Sequence, residues 1–125
     1  MTENEISRII VEEAIYIHRT LGPGLLESVY VNCMAYRLRN RGLSVKTEVP
    51  VPVVFEGIKL ECAYRSDLVV NDKVVIESKS VDAIAPVHKA QLLTYLRFLN
   101  MKLGMLLNFN TVLMKDGIRR VVNNL

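Results

Sequence analysis

The chain has 125 residues and a net charge of +3, and half of its residues are apolar. This length predicts one domain over residues 1–125, and the composition excludes intrinsic disorder and low-complexity scaffolds. No apolar run approaches the roughly 20 residues of a membrane span, and the acidic, periodic amino end is unlike a signal peptide. Cys33 and Cys62 are far apart, which favours a reducing compartment. We therefore expect a cytoplasmic protein with no membrane partner.

Two helices are predicted ahead of the first strand. Apolar residues at three- and four-residue steps predict a helix over 5–21 and a second helix over 25–41. A Gly-Pro-Gly segment at 22–24 breaks the chain between them. Gly42 ends the second helix, because it follows three arginines in the last turn.

Strands follow from residue 44 onwards. Runs rich in β-branched residues predict strands over 44–55, 58–70 and 74–80. Pro50 and Pro52 cannot donate to a ladder, so the first of these strands lies at a sheet edge or bends.

The last third of the chain predicts one more helix and the end of the sheet. Pro86 is a good first helical residue, and apolar spacing extends that helix to Asn100. A buried strand is predicted over 103–109, followed by a short hairpin over 112–122 that turns at Asp116-Gly117. The predicted fold is α/β, a mixed sheet flanked by helices in the order ααβββαβ plus a C-terminal hairpin.

Three charged residues interrupt the apolar strands. If residues 71–73 form a three-residue loop, Asp67 lies opposite Glu77, with Cβ atoms ~5 Å apart. A two-residue loop would place the two carboxylates on opposite faces. Lys79 shares a face with Glu77, because side chains alternate along a strand.

Two carboxylates and a lysine on one face suit metal-assisted phosphodiester cleavage. Carboxylate oxygens are hard ligands for Mg²⁺, and a lysine can stabilise charge on the phosphate. Taken alone, so short a pattern is better explained as a structural salt-bridge cluster.

Further polar residues lie on the predicted helices. Gln91 and Tyr95 are four residues apart and share a face of the third helix, with His88 one turn earlier. Glu27 lies in the first turn of the second helix, where a carboxylate also stabilises the helix dipole. His18 ends the first helix, where it either interacts with the dipole or faces Glu27.

Together these residues resemble a known family. Asp67, Glu77-Ser78-Lys79 and Gln91-x-x-x-Tyr95 resemble the D…ExK…QxxxY signature of the PD-(D/E)xK nuclease superfamily, in its RecB-like branch. Gly24-x-x-Glu27-x-x-Tyr30 more closely resembles the bacterial proteins named GxxExxY after that motif. Ser78 and Ser80 depart from the resemblance, because these proteins usually carry apolar or small residues beside the lysine.

The resemblance implies a restriction-endonuclease-like core and a Mg²⁺ or Mn²⁺ site. The implied metal ligands are Glu27, Asp67 and Glu77. The implied catalytic residues are Lys79, Glu77 and Asp67, with Gln91 and Tyr95 orienting the site or contacting the DNA backbone. We expect the three carboxylates to lie together and to raise one another's pKa.

We therefore expect a metal-dependent nuclease that hydrolyses phosphodiester bonds, with DNA as its partner and a homodimer as its assembly. Two alternatives remain open, a non-cleaving nucleic-acid-binding module and a protein-interaction module that retains the nuclease fold. Four cations are predicted either to follow phosphates as a basic rim or, as we favour, to form a solvated helix end: Arg37, Arg39, Arg41 and Lys46.

Overall fold

A computed structural model describes residues 1–60 and 64–125, so Cys62 lies outside the described residues. The three helices are α1 (Glu3–Leu21), α2 (Glu27–Asn40) and α3 (Pro86–Leu99). The strands are β1 (Val45–Pro50), β2 (Val53–Phe55), β3 (Ile58–Leu60), β4 (Arg65–Val70), β5 (Val74–Lys79), β6 (Leu103–Asn108) and β7 (Ile118–Val122).

A five-stranded mixed sheet organises the described residues, in the order β1-β4-β5-β6-β7. Only β5 and β6 run parallel, and α3 is the crossover helix that joins them. β2 and β3 form a separate two-stranded sheet. The mixed sheet flanked by helices confirms the predicted fold class, with β1 at the edge as its prolines required.

The two faces of the sheet carry separate cores. Ile76 and Leu68 belong to the larger core, which α1 and α2 complete. Val75 and Val69 belong to the smaller core under α3. Alternation along each strand therefore gives every central strand two buried faces, which explains the continuous β-branched run in β5.

The helices begin and end close to their predicted limits. Thr2 caps α1, because its side-chain oxygen accepts a hydrogen bond of 3.2 Å from the Glu5 N–H and the Glu5 carboxylate accepts from Thr2. This capping box starts α1 two residues before the predicted limit. Pro86 is the first residue of α3, as predicted.

Two predicted strands are broken into shorter pieces. The segment predicted over 44–55 divides into β1 and β2, and the segment predicted over 58–70 contributes β3 and β4. Pro50 and Pro52 bracket the first break, since neither can continue a ladder. Glu56 and Gly57 form the tight turn between β2 and β3, both with positive φ.

The hairpin predicted over 112–122 is wrong in its pairing. Residues Met114–Gly117 form a 3₁₀ turn, and β7 pairs antiparallel with β6 instead of with the residues just before it. Gly117 makes this possible, because a Cβ there would lie 2.1 Å from the Asn108 carbonyl oxygen. Throughout the described part of the chain, no helix has the length and apolar character that crossing a bilayer requires.

We predict that Gly104→Ala destabilises the protein by about 1–3 kcal/mol, because it overpacks the contact between α3 and β6. A Cβ at Gly104 would lie 2.7 Å from Leu92 Cγ. Urea unfolding measures the loss. In the double variant with Leu92→Ala the combined loss should be smaller than the sum of the two single losses. Strict additivity would contradict the proposed clash.

Candidate active site

The site begins where two strands part. The β4–β5 ladder has the predicted register and ends at the pair Leu68 and Ile76. Beyond that pair, Asp67 Oδ2 accepts a hydrogen bond of 2.8 Å from the Ser78 N–H. The register confirms the three-residue loop, because Val70 pairs with Val74. The Asp67 carboxylate takes the place of a main-chain carbonyl and so lies beside β5.

Glu77 is buried next to Asp67, with only 6% of its surface exposed. Its pKa is raised to about 9, first by burial and then by the charge and side-chain contact of Asp67. Lys79 opposes this rise but does not cancel it. At neutral pH the Glu77 carboxyl therefore holds a proton and donates it towards Asp67.

One oxygen of Glu77 has no partner. Glu77 Oε1 is buried and makes no hydrogen bond with any residue in 1–60 or 64–125. An unpaired polar atom of this kind costs on the order of 1–3 kcal/mol. A structural salt-bridge cluster with all of its polar atoms paired would not leave this oxygen without a partner.

Lys79 ends β5, and the backbone around it is fixed from β6. Its carbonyl accepts a hydrogen bond of 3.1 Å from the Phe109 N–H. Asn108 is buried and holds the following segment, since its Nδ2 donates to the Val81 carbonyl at 2.9 Å and its Oδ1 accepts from the Val81 N–H at 3.2 Å. Sequence reasoning missed Asn108 as a positioning residue, although an amide ending an apolar strand was a visible signal.

Glu27 links the start of α2 to the residue after Lys79. Its Oε1 accepts a hydrogen bond of 3.1 Å from the Ser80 N–H, and Ser80 Oγ donates to the Leu25 carbonyl at 3.3 Å. Ser80, which departs from the family pattern, therefore contributes to this link. Because Glu27 binds the end of β5, it lies beside the site.

The Tyr of the GxxExxY segment supports this link from the core. Tyr30 donates a hydrogen bond of 2.6 Å to the Gly22 carbonyl, and its hydroxyl accepts from the Leu25 N–H at 3.2 Å. Its ring stacks on Phe109 with centroids 4.3 Å apart. The tyrosine thus fixes the turn between α1 and α2, from which Glu27 follows.

His18 binds elsewhere. Its Nε2 donates to the Thr111 carbonyl at 2.8 Å, which requires that nitrogen to carry a proton. The structure therefore assigns His18 to the contact between α1 and the segment after β6, and the alternative in which it faces Glu27 is not observed.

A cavity of about 610 Å³ lies between α2 and the end of β4, and Glu27 and Asp67 both line it. Glu48, which sequence reasoning did not single out, lines it too. By the register of β1 and β4, Glu48 falls opposite Asp67. Its φ of +48° is rare for a residue with a side chain and costs on the order of 1–3 kcal/mol, a kind of strain that concentrates at functional sites.

The donor set fits a divalent cation only in part. In the described ranges, no three His, Cys, Asp or Glu side chains come close enough together to hold a metal ion. Asp67 and Glu77 do lie together, and both offer the hard oxygens that Mg²⁺ prefers. Glu77 Oε1 also lacks any other partner, so these two carboxylates fit the metal, while Glu27 as a third ligand stays a prediction.

Gln91 and Tyr95 share a face of α3 as predicted, but they line a different cavity. Among the described residues that cavity is shared with Tyr64, whose ring centroid lies 6.2 Å from that of Tyr95. The structure thus separates these two residues from the cavity of Glu27 and Asp67. Their predicted catalytic role stays a prediction.

The four cations considered as a basic rim are engaged within the fold. Arg37 forms a bidentate contact with Glu13, with its shortest distance 2.9 Å. The remaining three contacts are Arg41 with Glu12, Lys46 with Asp72, and Arg39 with the Val45 carbonyl. These contacts within the fold favour the interpretation of a solvated helix end over that of a basic rim.

One comparison with known proteins identifies a family. The family model described as the PD-(D/E)XK nuclease superfamily matches residues 4–121. The chain belongs to this superfamily, whose members are generally nucleases that use divalent metal ions. No curated protein and no solved structure matches the chain.

We predict that the stability of the metal-free protein falls as the pH rises from about 5 to about 9. The Glu77 carboxyl ionises at 4.5 ordinarily and at about 9 in the folded protein, so only the folded state holds its proton between these values. Thermal unfolding in EDTA measures the decline.

Glu77→Gln should remove most of this pH dependence, because glutamine keeps the shape of the protonated acid without its charge. Glu56→Gln, at an exposed turn, serves as the matched control and should keep the wild-type profile. Equal pH profiles for wild type and Glu77→Gln would contradict the buried, protonated carboxyl.

Proposed function

We propose that the protein is a nuclease dependent on Mg²⁺ or Mn²⁺ that hydrolyses phosphodiester bonds in DNA. We propose that residues 1–125 form one nuclease-like domain, that it belongs to the GxxExxY group and that it acts in the cytoplasm. The observation that carries the proposal is the buried Glu77 beside the half-buried Asp67, with Glu77 Oε1 lacking a hydrogen-bond partner among the described residues and Lys79 close by.

Burial of Glu77 supports a ligand-binding role for the pair over a structural one. A structural cluster satisfies its own charges, whereas Glu77 keeps a proton and an unpaired oxygen. Buried groups with strongly perturbed pKa values concentrate at functional sites. Membership of the superfamily supports a nuclease-type function for such a pair.

Each residue has a distinct task in this proposal. Asp67 and Glu77 would hold the divalent cation, which supplies neutralisation of phosphate charge and makes a coordinated water more acidic. Glu77 loses its proton when it becomes a ligand, since only the carboxylate binds well. The ammonium group of Lys79 would stabilise negative charge that builds on the phosphate. Ser78 N–H fixes one Asp67 oxygen and so orients the carboxylate.

A homodimer completes the proposal. One copy carries one Asp67–Glu77 pair, and a second copy would supply the second pair needed to cut both strands where a duplex is locally unpaired. Size-exclusion chromatography with light scattering measures the mass directly against the 14.2 kDa of one chain.

We predict cleavage that requires both the metal and Lys79. Purified protein is incubated with linear, circular and single-stranded DNA and with RNA, with and without Mn²⁺. Lys79→Ala should lower the rate by about 100-fold or more, because it removes charge stabilisation on the phosphate. Lys73→Ala, in the loop just before β5, is the matched control and should cleave like wild type.

We predict that Mg²⁺ or Mn²⁺ stabilises the folded protein. A cation at 100 times its dissociation constant adds about 2.7 kcal/mol to the free energy of unfolding. Glu77→Gln should abolish this gain, and Lys79→Ala should retain it. If no substrate is cleaved and no metal stabilises the fold, a non-cleaving module is the better description of the protein.

A further inference from the structure

One face of helix α3 packs on the sheet, and another face lines a cavity. Leu92 and Leu96 enter the smaller core under the helix. Residues on another side of α3 line an open cavity of about 380 Å³. We call this cavity the aromatic cleft. Among the described residues it is lined chiefly by Tyr64, Tyr95, Phe98, Gln91, Thr94 and Val53.

The lining combines ring faces with hydrogen-bonding groups. Tyr64 is 50% exposed, and its ring is tilted by 53° to that of Tyr95. Gln91 adds an amide, which has both a donor and an acceptor. Unpaired nucleobases are held in this way, by stacking on aromatic rings and by hydrogen bonds to their edges.

The charge on this side of the molecule favours a polyanion. No Asp or Glu occurs from residue 83 to residue 115, a range that contains all of α3. Lys89 and Arg97, the lysine and the arginine of α3, are both exposed. Neither forms an ion pair with a described residue. Arg97 follows Thr94 by three residues and so lies on the same side of the helix. Arg65, next to Tyr64, is exposed as well.

The position of the cleft connects it to the proposed chemistry. Tyr64 lies three residues before Asp67, on the segment that leads into β4. The cavity on the α2 side, by contrast, is lined by Glu27, Glu48 and Asp67 and repels an anion in the absence of metal. A nucleic acid strand is therefore better held from the α3 side.

We propose that the aromatic cleft binds an unpaired nucleobase, with Tyr64 as the stacking residue, and that the substrate is therefore single-stranded or locally unpaired nucleic acid. This inference rests on the proposed nuclease function and adds its substrate class. A base within an intact duplex offers no free ring face to Tyr64, because its neighbours in the stack cover both faces.

The test measures binding without cleavage. Single-stranded oligonucleotides that contain 2-aminopurine, a fluorescent adenine analogue, are titrated with wild-type protein in EDTA, beside the matching duplex. We expect quenching of the analogue and tighter binding of the single strand. Tyr64→Ala should weaken single-strand binding by about 5- to 100-fold and leave duplex binding unchanged, since a stacked base contributes about 1–3 kcal/mol.

Two further variants separate stacking from other effects. Tyr64→Phe keeps the ring and should bind like wild type. Tyr36→Ala removes an exposed tyrosine from a different cavity and should also bind like wild type. The quenching of the analogue by wild-type protein needs no variant, so it tests the cleft even if Tyr64→Ala fails to fold.

The outcomes distinguish the proposal of base binding in the cleft from the proposal of nuclease activity. Quenching without cleavage in the metal assay supports base binding in the cleft and overturns the proposed function. Cleavage of duplex alone, with equal binding of both forms and no quenching, overturns the cleft. A wild-type dimer that Tyr64→Ala converts to a monomer would overturn it too, because the cleft would then be a contact between copies of this chain.

Discussion

Burial of the Glu77 carboxyl beside Asp67 is the constraint on which this end of the sheet depends. Burial and the neighbouring Asp67 raise the pKa of Glu77 to about 9, so this carboxyl keeps a proton at neutral pH. The strands β4 and β5 separate at this point, and the Asp67 carboxylate binds the main chain where a carbonyl would otherwise do so. The β4–β5 ladder thus ends where the two acidic side chains lie.

The surrounding contacts keep that arrangement in place from two directions. Glu27 binds the Ser80 N–H from α2, and Asn108 binds both polar groups of the Val81 backbone from β6. Both anchors bind the residues just after Lys79, and the Lys79 carbonyl itself accepts a hydrogen bond from the Phe109 N–H, so α2 and β6 together set its backbone position. Long-range contacts therefore fix the lysine, although it ends a short strand.

The sequence was most informative where local geometry decides the outcome. Residues 71–73 form a three-residue loop, and counting back from this loop places Asp67 opposite Glu77, one residue beyond the last ladder pair of Leu68 and Ile76. Repulsion between the two carboxyls was also foreseen from that register. The larger cause, burial, depends on how the helices cover the end of the sheet, and no local pattern encodes it. The positive φ of Glu48 escaped prediction for the same reason, since Glu has no intrinsic preference for that conformation. Gln91 and Tyr95 were correctly placed on one helix face, but helical spacing alone does not reveal which cavity that face lines.

The turn between α1 and α2 is held by residues from far along the chain. Tyr30 stacks on Phe109, and His18 binds the carbonyl of Thr111, 93 residues away in sequence. Contacts of such high sequence separation form late, because the intervening chain must first be closed into a loop. On the ribosome, the carboxylate of Glu27 therefore reaches its final place only after residues 109–111 have been synthesised and have left the exit tunnel. Until residues 109–111 have emerged, a growing chain thus carries the acidic residues of the site without the contacts that order them.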